Sequence, residues 1–227
     1  MWATAGGLRV TAPPRASYSA IEDALMANGT WLREQMAAWA PAPAPRDGDA
    51  VPFGDLRLAV RLAETSRASL DLGAREIRLP ELGSERDRLG ALERLYRREA
   101  RSRLTALCHG FSAPLGVQVA RVRISDPRSR WGSCSTSGTI SLSWRLMMAP
   151  TPVAKSICAH EVAHLVVPNH SRAFRDVLER LIQDVADCER WLSAHGRALL
   201  RGPLAAAATP PLSSTVPVSG LLASLRT

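Results

Sequence analysis

Three histidines and a glutamate fall within eleven residues of this chain, His160, Glu161, His164 and His170, in the run HEVAHLVVPNH. Histidines four positions apart on a helix present their imidazoles from one face about one turn apart, so both can reach a single cation. Glu161 sits beside the first of them, directed toward the space where a water held by that cation would lie, and suits a general base. Pro168-Asn169 can end the helix and fold the chain back, bringing His170 in as a third nitrogen donor. Three neutral nitrogens with one position left open describe a catalytic zinc, whereas a structural zinc closes with a fourth protein ligand, often Cys. Zinc lowers the pKa of its water to about 7, and Glu161 can take the proton as that water attacks a carbonyl or phosphoryl centre. Hydrolysis is the chemistry this implies. An HExxH alone is common in long helices; here three of only five histidines gather around a helix breaker. The other two, His109 and His195, read as ordinary helix-end residues.

The elements that must position these groups can be read outward from them. The pattern after Pro150 is helical through Val167, and Ser171 is placed to cap a further helix with Phe174, Val177, Leu178 and Leu181 inward. A last helix is expected from about Asp184 to Leu200, and a tail poor in charge and without fixed structure from 202 to 227. Upstream, alternation predicts strands over Leu115–Ile124 and Thr139–Leu146, joined by a loop from Ser125 to Gly138. Ser84 to His109 reads as one long helix with Leu89, Leu92, Leu95, Tyr96, Ala100 and Leu104 near one face. Its arginines at 94, 97, 98 and 101 form a basic stripe, either a solvated face or a phosphate contact. The first 80 residues form an N-terminal portion: a strand at Leu8–Ala12, a helix after Ser17 carrying Ile21, Leu25, Trp31 and Leu32, an exposed Pro/Ala linker at 41–50, and short strands between Val51 and Pro80. The core portion then runs from 81 to 201.

Composition narrows the function classes. At 227 residues, 46% hydrophobic and 22% charged, the chain is long and apolar enough to bury a core without staples. No run of about 18 uncharged apolar residues is present, and Met1 to Val10 does not read as a secretory signal, so a cytoplasmic protein without membrane partners is expected. Cys108, Cys134, Cys158 and Cys188 form no CxxC pair and read as reduced, mostly buried thiols. The net charge of +8 comes almost wholly from arginine, Lys155 being the only lysine. Such a balance fits nucleic acid or phosphate-bearing partners, or simply a preference for arginine codons.

The segments RWGSCS (130–135), ISLSWRL (140–146), HEVAH and Asn169-His170-Ser171 with Phe174 resemble the YgjP-like metallopeptidase domain family, itself related to the SprT-like and Spartan-like zincins. The resemblance is close from about Val117 to Leu192. It implies an α+β, zincin-like fold: a small mixed or antiparallel sheet over the HExxH helix, with the N-terminal α/β portion and the C-terminal tail appended. It further implies zinc, the ligands His160, His164 and His170, and Glu161 as the catalytic residue. Ser143 stands where the family often has Asn, Arg175 where Trp is common, and Val167 where metzincins place a turn glycine. A strand above the helix at 139–146 can pair with an extended substrate, and Arg130, Ser133 and Arg145 are candidates to line the cleft. Cys134 has no role as a nucleophile in such a mechanism.

Three functions are consistent with these readings. The first is a zinc metallopeptidase acting on a peptide or protein. The second is a phosphoanhydride or nucleotide hydrolase, suggested by Arg128, Arg130 and Arg145, since arginines match phosphate oxygens in pairs. The third is a nucleic-acid-associated module whose metal site is structural or regulatory, suggested by the basic stripe.

Overall fold

A computed structural model describes residues 2–4, 7–30, 32, 43–127 and 129–212. The expected positions Trp31 and Arg128, and residues 213–227 of the expected tail, lie outside them. The class is α+β, as expected. A two-stranded antiparallel ladder, β1 (Trp2–Thr4) and β2 (Gly7–Arg9), precedes α1 (Tyr18–Ala27), whose first turn is capped by Ser17 Oγ accepting from the Ala20 amide at 3.1 Å. A four-stranded sheet follows, β3 (Ala50–Phe53), β4 (Leu56–Ala63), β5 (Ser69–Asp71) and β6 (Glu76–Pro80), in the order β3-β4-β6-β5, with β4 and β6 parallel.

The connection before β3 is not the free linker its prolines suggest. Ala44 and Pro45 are buried, and Asp47 and Gly48 bond to Leu62 and Val60 of β4. The Asp47 carboxylate accepts from the Leu62 amide and the Gly48 amide donates to the Val60 carbonyl, groups that a linker would leave to water.

Helix α2 (Glu85–Ser112) opens with a capping box between Ser84 and Asp87 and buries Leu92, Leu95, Tyr96, Ala100, Leu104 and Cys108 along one face. That face makes the main core, which joins Val51, Leu58 and Ile77 of the first sheet to Leu142, Trp144 and Val162 further on. Residues on both sides of position 80 thus contribute to one core. Tyr96 anchors it: fully buried, it donates to the Pro52 carbonyl at 2.5 Å and lies between the Phe53 and Trp144 rings. Burial pushes its phenol far above the usual range, so it remains a donor.

The second sheet differs from the expected pair of strands. Its members are β7 (Arg121–Ser125), β8 (Gly132–Cys134) and β9 (Thr139–Ser143), in the order β7-β9-β8. Residues 113–115 form a 3-10 turn closed by Gly116 in the left-handed region, so β7 begins only at 121. Residues 144–148 leave the sheet as a wholly buried 3-10 turn. The loop expected at 125–138 contains a strand.

Helices α3 (Thr151–Ala163), α4 (Arg172–Leu181) and α5 (Val185–Arg201) complete the body. The boundary of the expected tail also moves. Pro203–Ala206 form a helical turn, α6, with Pro203 and Ala206 buried. Thr209 is buried as well; its carbonyl accepts from Arg57, and the Pro210 carbonyl accepts from Trp191 Nε1 at 2.9 Å. Apolar residues at 203–206 find a surface against β3, which composition could not show.

Candidate metal centre and cleft

Helix α3 carries His160 and Glu161 near its end, and its flanks explain why it holds still. Val153, Cys158 and Val162 belong to the main core, whereas Ala159 and Ala163 pack with Phe174, Val177 and Leu178 of α4 in a second, smaller cluster. Alanines on that side let α4 approach closely. His164 closes the helix, with its amide bonded to the His160 carbonyl. The helix thus ends at Ala163 instead of the expected Val167: residues 164–166 already form a turn, with the Leu165 and Val166 amides bonded to the Val162 and Ala163 carbonyls, and after Pro168 the chain brings His170 back over the same face.

The three imidazoles converge. His160 Nε2 lies 3.2 Å from His164 Nε2 and 3.1 Å from His170 Nε2, and the candidate ligand atoms all fall within 4.8 Å of one another. Nitrogens held tetrahedrally at about 2.0–2.1 Å from one ion stand about 3.3 Å apart. The spacing is therefore that of a ligand set for a small cation. His164 Nδ1 sits 3.2 Å from the Val167 carbonyl, which fixes the tautomer with Nδ1 as donor and Nε2 free to ligate. Burial and the neighbouring rings hold His160 well below its ordinary pKa, at about 4, and burial lowers His164 too. Neutral rings are the ligating form. Phe174 lies beneath all three, its ring centroid 4.6–4.9 Å from each imidazole.

Glu161 is 6% exposed and faces Gly132 of β8. A Cβ at residue 132 would lie 2.5 Å from Glu161 Oε1 and 2.7 Å from Cγ, so only glycine leaves the carboxyl its place. Burial raises the Glu161 pKa to about 7, and the Arg130 charge partly offsets it. The sequence marked Phe174 as a core position and as part of the family resemblance, and Gly132 only as part of RWGSCS. A phenylalanine four residues after the third histidine, and a glycine between bulky and polar residues upstream, were the available signals.

A cleft of about 390 Å³ opens over these groups, bordered by Gly132, Ser133, Cys134, Ser135 and Thr136 on one side and by His160, Glu161, His164 and His170 on the other. Of the three cleft candidates, Ser133 lines it. Arg130 borders an adjoining pocket. Arg145 does neither: it is buried in the 3-10 turn after β9, ion-paired to Asp126 and stacked on Trp144 with its guanidinium 4.4 Å from the ring centroid. Burial lowers its pKa to about 10. The strand read as substrate-pairing, 139–146, is also corrected. β9 is paired on both edges, to β7 and β8.

The edge on the cleft belongs to β8. Trp131 O accepts from Ser143 N and Ser135 N donates to Thr139 O, so by alternation Ser133 faces β9. The main-chain groups of Gly132 and Cys134 therefore face outward. The Cys134 thiol, on the cleft, is pushed up by burial and by the nearby Glu161 carboxyl, which keeps it protonated. Just upstream, the Trp131 ring rests on Gly196 of α5, where a Cβ would lie 2.8 Å from Cζ2. His195 lies within α5, not at a helix end as expected, its ring tilted against Trp191 with centroids 5.1 Å apart, and His109 is exposed near the end of α2; neither joins the cluster.

A helix presenting convergent imidazoles and a buried carboxyl beneath a small mixed sheet is an arrangement that hydrolytic metalloenzymes use. The YgjP-like, metallopeptidase domain family model matches residues 3–195, and the chain belongs to that family. Among solved structures the chain is similar to the metallopeptidase zymogen of Pyrococcus abyssi abylysin, at 24% identity and a TM-score of 0.38, over 41% of this chain and 96% of that one. No curated protein matches it. No helix among the described residues is long and apolar enough to cross a membrane.

Proposed function

We propose that the protein is a zinc-dependent peptidase in which His160, His164 and His170 hold the metal and Glu161 is the general base. The observation that carries this is the meeting of three imidazole nitrogens with one buried carboxyl at an open cleft whose other border is an unpaired strand edge. A divalent cation held by this donor set supplies Lewis-acid polarisation of a carbonyl and acidifies water. Glu161, with a pKa near neutrality, can take a proton at Oε from water in the cleft and return it to the departing amine. The outward main-chain groups of Gly132 and Cys134 can align an extended peptide by strand addition.

The other two readings find less support. Arg145, offered for phosphate, is held by Asp126. Arg97 of the basic stripe bonds Glu93 at 2.7 Å and lies 3.5 Å from Asp126, which breaks the stripe as a free basic face.

Metal analysis and turnover test the proposal together. Purified wild type should contain near-stoichiometric zinc and hydrolyse members of a mixed peptide library. His160→Ala should lose the zinc; Glu161→Gln should keep it and lose turnover by about 10²–10⁴-fold. Equal zinc in wild type and His160→Ala would remove the metal centre, and unchanged turnover in Glu161→Gln would remove the base.

A further inference from the structure

Next to the cleft lies a second pocket of about 250 Å³, between residues 129–131 and the outer face of α5. Arg130 and Arg197 bring two guanidinium groups to its rim, Ser129 and Ser193 bring hydroxyls, and Trp131 and Leu192 form an apolar floor. Among the described residues no acidic side chain lines it and Arg130 makes no ion pair. An arginine beside an apolar floor and two hydroxyls is a receptor for a short, anion-tipped side chain.

The position of this pocket relative to β8 gives it a role. β8 begins at Gly132, the residue against Glu161, and Arg130 precedes it by two positions. A peptide paired with the β8 edge advances about 3.3 Å per residue and turns alternate side chains the same way. A peptide residue roughly two positions from the one beside Gly132 therefore comes level with Arg130.

We propose that this pocket is a specificity subsite for a carboxylate of the peptide substrate, with Arg130 as the recognising charge. The inference rests on the peptidase reading above. The carboxylate can belong to a Glu or Asp side chain or to the end of the peptide, and both have the paired oxygens that a guanidinium binds.

The test uses the zinc-loaded protein and peptides that differ only in Glu, Gln or Lys stepped through the positions flanking the cut bond, each made with a free and an amidated C-terminus. Wild type should prefer Glu over Gln at one position by about tenfold in kcat/KM. A preference for the free over the amidated terminus would instead assign the pocket to the chain end. Arg130→Gln should abolish the discrimination, and Arg130→Glu should invert it toward Lys at that position. Arg130 is exposed, so neither change is expected to disturb folding. The same peptides are titrated into Glu161→Gln, with and without Arg130→Glu, so that binding is read independently of turnover. Cleavage without carboxylate discrimination, or discrimination and binding indifferent to Arg130, overturns the subsite alone. If wild type cuts no peptide, the peptidase reading fails, and the titrations still decide whether Arg130 selects carboxylates.

Discussion

The floor of the cleft, helix α3, and its wall, strand β8, differ in what holds them. α3 is gripped from two sides, by the main core through Val153, Cys158 and Val162 and by the α4 cluster through Ala159 and Ala163. β8 is three residues long, paired on one edge only among the described residues, and steadied at its start by Trp131 resting on Gly196. On the proposed peptidase reading, the floor fixes the positions of the reacting groups, where small displacements are costly. On the same reading the wall has only to meet a flexible chain and guard the space around Glu161. Ligand geometry should accordingly tolerate changes in the wall, whereas turnover should not.

Three substitutions probe that division. The largest expected effect is on the floor: Phe174→Ala removes the ring beneath all three imidazoles and should lower unfolding free energy by about 3–5 kcal/mol. Zinc affinity, measured by competition with a chromogenic chelator, should weaken with it; unaltered affinity would mean that the backbone alone aims the histidines. Next comes the wall: Gly132→Ala places a methyl within contact of Glu161 and should cut kcat by about 10–100-fold, or about 1.4–2.8 kcal/mol. Its zinc content should stay at the wild-type level. Wild-type turnover there would show that the strand yields and the carboxyl does not. The smallest effect is behind the wall, where Arg145→Ala should cost about 1–2 kcal/mol of stability, below the figure for a fully buried pair because Asp126 is part-exposed and keeps Arg97. Turnover per folded molecule should not change, and a fall would return Arg145 to the substrate side.

The same contrast explains what could be read in advance. The spacing of His160, Glu161 and His164 is a local property of one helix, and Pro168 bounds in the sequence how far that helix can run, although it already ends at Ala163. Their convergence with His170 was therefore expected, and the imidazoles do meet. The long helix α2 was legible for the same reason, its periodic face becoming the core. Gly132–Cys134 gave no such signal. Three small or polar residues become a strand only because β9 offers them a ladder, and that pairing is set by tertiary structure. Arg145 failed differently. Strand alternation was extended three residues past Ser143, and the chain instead turned into the core, carrying the guanidinium to Asp126. The segment 203–212 was judged by its composition, which carries no information about the surface waiting at β3.

The seat of Trp131 on Gly196 also has a consequence for the order of assembly as the chain leaves the ribosome. The metal-binding segment is finished at His170, yet the socket that steadies the wall is not made until residue 196. The contacts of Thr209 and Pro210 that tie α5 to the rest come later still. Domains fold as their parts emerge, and contacts distant in sequence close last. On the proposed peptidase reading, a chain built in this order has its three histidines and the β8–β9 ladder before the seat that steadies β8, so the half-made chain is poorly equipped to cut its neighbours.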